Sequence, residues 1–234
     1  MRLGAGIKPA ERSSGENQRM RKMAYSALCM SASAALLAAV AVAVNDREAG
    51  ANGRAADDGW LVLFDGKSLD GWEASERPEN WTVEDGCICG TGSRSHLFYM
   101  KKEFQNFEFK ADVMINPGGN SGIFFHSQPE ADWPKQGYES QVNNTHGDPV
   151  KTGSLYNTVK VFKSATKDDT WWTQTIIVKG KQITVKVNDE TIFEYDEPDG
   201  VTGPRKLSKG YFAFQAHDPG SKVRYRNVMV KPLP

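Results

Sequence analysis

The sequence predicts an all-β protein, folded as a two-sheet antiparallel β-sandwich of the jelly-roll type. Three observations predict it. From Gly59 onward the chain is a succession of short β-type runs broken by Gly, Pro, Asn and Asp. No stretch carries the i, i+3, i+4 apolar stripe of a helix. The runs also sit close enough together for hairpin connections, so they form meanders whose apolar faces need a second sheet to cover them.

The N-terminal part reads differently. Arg19, Arg21 and Lys22 precede an almost uncharged, alanine-rich run from Ala24 to Val44, the charge pattern of an export signal. Ala41-Val42-Ala43 supplies the small-x-small pattern of a cleavage site, so residues 1–44 are expected to be a signal peptide or an N-terminal hydrophobic segment. About 20 apolar residues can also just span a bilayer, which makes an uncleaved segment the only expected membrane contact. Localisation is accordingly expected to be the periplasm, cell envelope or exterior. Residues 45–58, rich in Ala, Gly, Asp and Asn without periodicity, read as a flexible linker. The β-sandwich domain is placed at 59–234.

Without residues 1–44 the chain loses six basic and two acidic residues, leaving 23 against 27 and a net charge of −4. Its basic residues are scattered singly among acids rather than clustered, so nucleic acid is excluded as a partner. Cys87 and Cys89 lie two apart in one run, a spacing that suits two buried small side chains and not a disulfide.

Individual strands follow from alternation. In 107–115, Phe107, Phe109, Ala111, Val113 and Ile115 alternate with more polar residues, giving one core face. Phe124-Phe125 and Trp171-Trp172 place bulky groups on both faces, as expected where a strand either floors a groove or is covered by a loop. Residues 171–178, 182–187 and 191–195 form a meander, with Asn188-Asp189 as a tight turn. The last pair is 210–216 and 222–230, joined by Asp218-Pro219-Gly220-Ser221.

The chemistry-bearing residues concentrate between Asn120 and Tyr156. In strand geometry Glu139, Gln141 and Asn143 share one face, and Tyr138, Ser140 and Val142 the other. A carboxylate and two amides on one face are either an ordinary solvated surface or a hydroxyl-binding one; Trp133, Tyr138 and Tyr156 are the aromatic candidates to cover a sugar's apolar face. His126, His146 and His217 lie at strand ends, where with Glu139 they could build an acid–base or metal site; His96 reads as structural. The metal-ligand spacings H-x-H and H-E-x-x-H are absent. So are a phosphate-cradling loop and a G-x-S-x-G elbow. Glu194-Tyr195-Asp196-Glu197-Pro198-Asp199 is a poor match to the E-x-D-x-x-E strand of retaining glucanases.

At this point the stretch from Gly59 to the C-terminus resembles a known family, the 3-keto-disaccharide hydrolase domain. The matching strings are Leu63-Phe64-Asp65-Gly66-Lys67-Ser68-Leu69-Asp70-Gly71-Trp72, Trp81-Thr82-Val83-Glu84-Asp85-Gly86, Gly119-Asn120-Ser121-Gly122-Ile123-Phe124-Phe125, Gly137-Tyr138-Glu139-Ser140-Gln141-Val142, Thr152-Gly153-Ser154-Leu155-Tyr156 and Arg226-Asn227-Val228. His126 stands where the family commonly has Arg. The resemblance implies a concanavalin A-like lectin/glucanase sandwich acting on glycosides oxidised at C3. A C3 ketone acidifies the C2 proton, so the C1 oxygen can leave by elimination before water adds back. On that reading Glu139, His126 and His217 are the catalytic candidates, Glu139 or His126 being the base. Asn120, Gln141 and Gln215 hold hydroxyls, and Trp133, Tyr138, His146 and Tyr156 complete the substrate set. One divalent metal ion, held by His146 or His217 at the enediolate, is the candidate cofactor. The rival expectation is a non-catalytic carbohydrate-binding domain of the cell envelope on the same scaffold.

Overall fold

A computed structural model of the chain describes residues 58–234, so the expectations placed on residues 1–57 lie outside the described residues. Thirteen strands are present: β1 (Leu61–Val62), β2 (Trp72–Ala74), β3 (Trp81–Glu84), β4 (Cys87–Thr91), β5 (Ser95–Tyr99), β6 (Phe107–Ile115), β7 (Ser121–Ser127), β8 (Tyr138–Val142), β9 (Trp172–Lys179), β10 (Gln182–Val187), β11 (Glu190–Asp196), β12 (Tyr211–Ala216) and β13 (Lys222–Pro232). Among the described residues the only helix is one 3-10 turn, Pro78–Asn80. The strands form two antiparallel sheets, as the sequence predicts. One has the order β11-β10-β9-β6-β13-β4-β3 with β1 added against β13; the other has the order β2-β5-β12-β7-β8.

The core lies between the sheets. Phe107, Phe109, Ala111, Val113 and Ile115 of β6 are fully buried, while the residues between them are half-exposed. They meet Phe212 and Phe214 of β12: the Phe109 and Phe212 rings stack at 4.6 Å, and Phe214 stacks on Tyr225 of β13 at 3.8 Å. Each such fully buried aromatic contributes roughly 1.5–3 kcal/mol through the apolar area it removes from water. Cys87 and Cys89 are both buried free thiols, and burial pushes both thiol pKa values up, which leaves them inert packing residues.

Three strands of the smaller sheet, β5, β7 and β8, are buried on both faces. β7 and β8 contain no exposed residue, and β5 is buried throughout. Phe125 belongs to the central core, whereas Phe124 packs with Phe98 and Ala213 on the opposite side. The paired phenylalanines thus mark a strand with a second covered face, as expected. Trp171-Trp172 does not share this role. Trp172 opens β9 of the other sheet and is core, and Trp171, just before that strand, is capped by the Arg226 guanidinium 4.0 Å from its ring.

Candidate functional site

The outer face of the smaller sheet floors a cavity lined by Asn120, Phe124, Trp133, Glu139, Gln141, Asp148, Tyr156, Arg205, Gln215 and His217. Strand alternation explains the floor. β8 pairs with β7 so that Glu139 lies opposite Phe124 and Gln141 opposite Gly122. On β12, Gln215 takes the outward position between the core residues Phe214 and Ala216. Loops supply the walls: Trp133 before β8, Asp148 and Tyr156 after it, Arg205 before β12 and His217 after it.

Glu139 is buried and close to a gap in the neighbouring strand. A methyl group at Gly122 would lie 2.3 Å from Glu139 Oε1, so the absent side chain there is what admits the carboxyl. Burial raises the Glu139 pKa to about 8; the Arg205 guanidinium pulls it down and the Asp148 carboxylate pushes it up. At neutral pH the group therefore carries a proton that it can donate.

A hydrogen-bond network fixes the rest of the floor. Gln141 Nε2 donates to Asn120 Oδ1 at 3.1 Å, and the Asn120 backbone N–H donates to Ser221 Oγ at 2.9 Å. Ser221 Oγ in turn donates to Asp218 Oδ2 at 2.7 Å. Nine side-chain polar atoms remain buried without a partner among the described residues, and they include Gln141 Oε1, Gln215 Oε1, Arg205 Nη1 and His96 Nδ1. Three of these belong to cavity residues. A buried polar atom left unpaired costs about 1–3 kcal/mol, and a ligand hydroxyl could satisfy either amide oxygen and a ligand oxygen the Arg205 N–H.

His217 and Asp218 form a dyad. His217 Nδ1 lies 2.9 Å from Asp218 Oδ2, so the nitrogen donates and the carboxylate accepts, an arrangement in which the lone pair of the neutral ring is on Nε2. Partial burial works against ionisation of Asp218, but hydrogen bonds from Ser221, His217 and the Gly220 amide outweigh it and hold its pKa below the ordinary value. Trp133, partly exposed, stands beside this dyad with its ring 5.3 Å from that of His217.

His146, His217 and Asp218 also bring three ligand-type atoms within 4.8 Å of one another. The hydrogen bonds of His146 do not fit a ligand of a divalent metal. His146 Nδ1 accepts the Asp148 backbone N–H at 3.0 Å, so its proton sits on Nε2, the atom facing Asp218 Oδ2 at 3.9 Å. Ligation through Nε2 would put a proton on Nδ1, against the Asp148 N–H. His146 therefore serves the wall of the site, with Asn120 Nδ2 3.4 Å from its Nδ1.

A model described as the 3-keto-alpha-glucoside-1,2-lyase-like domain matches residues 59–231. The chain belongs to this family. A 3-keto-disaccharide hydrolase of Bacteroides thetaiotaomicron is 30% identical over 171 residues, an alignment that covers 59% of this chain and 59% of that protein. The chain thus spans less than two thirds of that relative. Among solved structures, one from Parabacteroides distasonis, provisionally assigned as a glycosyl hydrolase, superposes with a TM-score of 0.65 at 26% identity, over 76% of this chain and 95% of that one. The carbohydrate-binding module CBM66 of Bacillus subtilis shares the fold, with a TM-score of 0.52 at 14% identity, over 69% of this chain and 95% of that module.

In this member of the 3-keto-alpha-glucoside-1,2-lyase-like family, two expectations need correction. Tyr138 points into the protein: it is buried beside Phe125 and Tyr195, and its hydroxyl donates to Glu197 Oε2 at 2.7 Å. It shares β8 with Glu139 but takes the opposite face. His126 is also absent from the cavity. Regular alternation would set it beside Phe124, but it has a positive φ of 56° where the β7–β12 register slips, a bulge that turns the ring toward Phe107 and Phe125. The structure brings together Glu139, His217, Asn120, Trp133, Gln141, Tyr156 and Gln215, with His146 alongside.

Arg205, Asp148 and Asp218 escaped the sequence reading. Asp218 sat in a turn-like string, and Arg205 and Asp148 lie in loops without periodicity, where the only available signal was charge beside Pro and Gly: Gly203-Pro204-Arg205 and Gly147-Asp148-Pro149. His96, read as structural, lies under the site with its ring edge-on to Phe124; burial lowers its pKa to about 3, so it is neutral.

Proposed function

We propose that this chain cleaves the glycosidic bond of 3-keto-glycosides by elimination across C1 and C2, followed by hydration. The observation that carries the reading is the shared cavity of a protonated Glu139, an Arg205 with a free buried N–H and an Asp218-oriented His217. The family match and the 3-keto-disaccharide hydrolase relative agree with it.

Each group has one task. His217 Nε2 takes the C2 proton, and the electron pair moves into an enolate on the C3 oxygen, opposite which Arg205 supplies positive charge. The enolate then collapses to a C1=C2 enone as the C1–O bond breaks, and Glu139 gives its proton to the departing oxygen. Water adds at C1 and a proton returns to C2, so the net change is hydrolysis. Gln141, Gln215 and Asn120 hold ring hydroxyls, and Trp133 and Tyr156 cover apolar ring faces.

The deciding experiment incubates the protein with a methyl 3-keto-glucoside and with the unoxidised glucoside. Cleavage of the first alone is expected; binding without turnover of either would instead support a carbohydrate-binding domain. The dyad adds a sharper test. In Asp218→Asn the amide can donate to Nδ1, which moves the His217 proton to Nε2 and removes the base. A fall in kcat on the order of 10²-fold is expected with little change in KM. In Gly122→Ala the new methyl displaces Glu139, and a displacement of about 1 Å is expected to lower kcat by up to about 10²-fold while unfolding measurements show a smaller loss of stability.

We further propose that the protein is exported. The basic cluster at Arg19–Lys22, the apolar run after it and Ala41-Val42-Ala43 support export, and size analysis of the secreted protein against a whole-cell extract tests it.

A further inference from the structure

Arg205 is carried by the long connection between β11 and β12, and its flanks are tied to the sheet on both sides. Before it, the Pro204 carbonyl accepts the Gly137 N–H at 3.2 Å. After it, the Leu207 N–H donates to Glu197 Oε2 at 2.6 Å, and the Ser208 N–H donates to His126 Nδ1 at 3.1 Å. The far nitrogen of the same ring, His126 Nε2, donates to the Gln105 carbonyl at 2.8 Å. A backbone N–H can only donate and a carbonyl only accept, so the ring must be neutral with its proton on Nε2. This side chain is 1% exposed, wedged edge-on between Phe107 and Phe125, and Glu197 and Lys181 line the same shallow cleft.

We propose that His126 is a positioning residue for Arg205: a two-ended strut between β7 and the β11–β12 connection that holds the guanidinium over the cavity. It touches neither the cavity nor the reacting atoms, and its effect passes through Ser208 to the segment that bears Arg205. The fit is close. A methyl group at Gly137 would lie 2.1 Å from the Phe125 carbonyl, so the strand edge, the bulge and the connection pack backbone against backbone at this point. The inference rests on the proposed function only for its kinetic consequence; the strut itself is testable without substrate.

Two variants separate the roles. His126→Asn keeps an acceptor near Nδ1 and tolerates the positive φ, whereas His126→Lys offers no acceptor. In the full chain, amide hydrogen exchange at Ser208 is expected to quicken at least about tenfold in His126→Lys and to stay near wild type in His126→Asn. Unchanged exchange at Ser208 in His126→Lys overturns the strut. With a methyl 3-keto-glucoside, His126→Lys is expected to lower kcat by about 10–100-fold, but by less than about twofold when Arg205→Met is already present. Multiplying effects in the double variant overturn action through Arg205. Should His126→Lys fail to fold, Ser208→Pro removes the donor from the other end and is read in the same double-variant design. Absence of turnover by the wild type overturns the proposed function, and the exchange result then decides the strut by itself.

Discussion

Glu139→Gln is expected to lower kcat for 3-keto-glycoside cleavage by about 10²–10⁴-fold while leaving the protein folded and binding its substrate. The amide has the shape of the protonated acid that burial enforces, so ground-state contacts persist, but it has no acidic proton for the leaving oxygen. The same substitution reports on stability. The Glu139 pKa rises from an ordinary 4.5 to about 8 in the folded chain. The folded state therefore holds this proton across a range in which the unfolded chain has lost it. Its contribution is complete below about pH 4.5 and drains away as pH climbs through 8. Glu139→Gln should remove that drain, so the variant gains on the wild type from pH 5 to pH 8 by an amount that reaches a few kcal/mol. Denaturant unfolding at pH 5, 6.5 and 8 measures it. Parallel pH profiles for the two proteins would remove the buried acid from the argument, and a fully active variant would remove it from catalysis.

Arg205→Met should cost about 10²–10³-fold in kcat, the usual effect of deleting one donor aimed at a developing oxyanion. Arg205→Lys should recover part of that, since an ammonium keeps the charge and loses the planar fork. Because Arg205 also favours the ionised form of Glu139, its loss moves the Glu139 pKa further upward. The high-pH limb of the kcat profile in Arg205→Met should therefore shift to higher pH. An unshifted limb with full rate would show that the enolate is stabilised elsewhere.

The sandwich could be read from the chain because its elements obey period two. Phe107 to Ile115 shows it most plainly, and Glu139 and Gln141 were found by the same rule, since alternate residues on a pleat must share a face. His126 was misplaced for the same reason. One residue with a positive φ breaks the alternation, and nothing in Phe124-Phe125-His126-Ser127 announces it. Tyr138 was misjudged by residue type, an aromatic ring being as fit for a core as for a sugar platform. Arg205 and Asp148 come from connections with no period to follow; their location depends on fastenings such as Glu197 to Leu207, which join residues ten apart across an irregular path. Glu197 itself, part of a string that matches the catalytic strand of retaining glucanases only poorly, is an anchor for this connection.

Phe124 and Phe125 are neighbours in one strand, yet one floors the cavity and the other fills the core. The partition between hydrocarbon and sugar is therefore a single pleated layer, with no cushion to absorb adjustments made behind it. Repacking Phe125, Phe214 or Ala216 for thermostability would tilt the bench on which Glu139 and Gln215 stand. The hairpin of β10 and β11, at the edge of the opposite sheet, offers no freer ground, since Tyr195 of β11 packs on Tyr138 of β8.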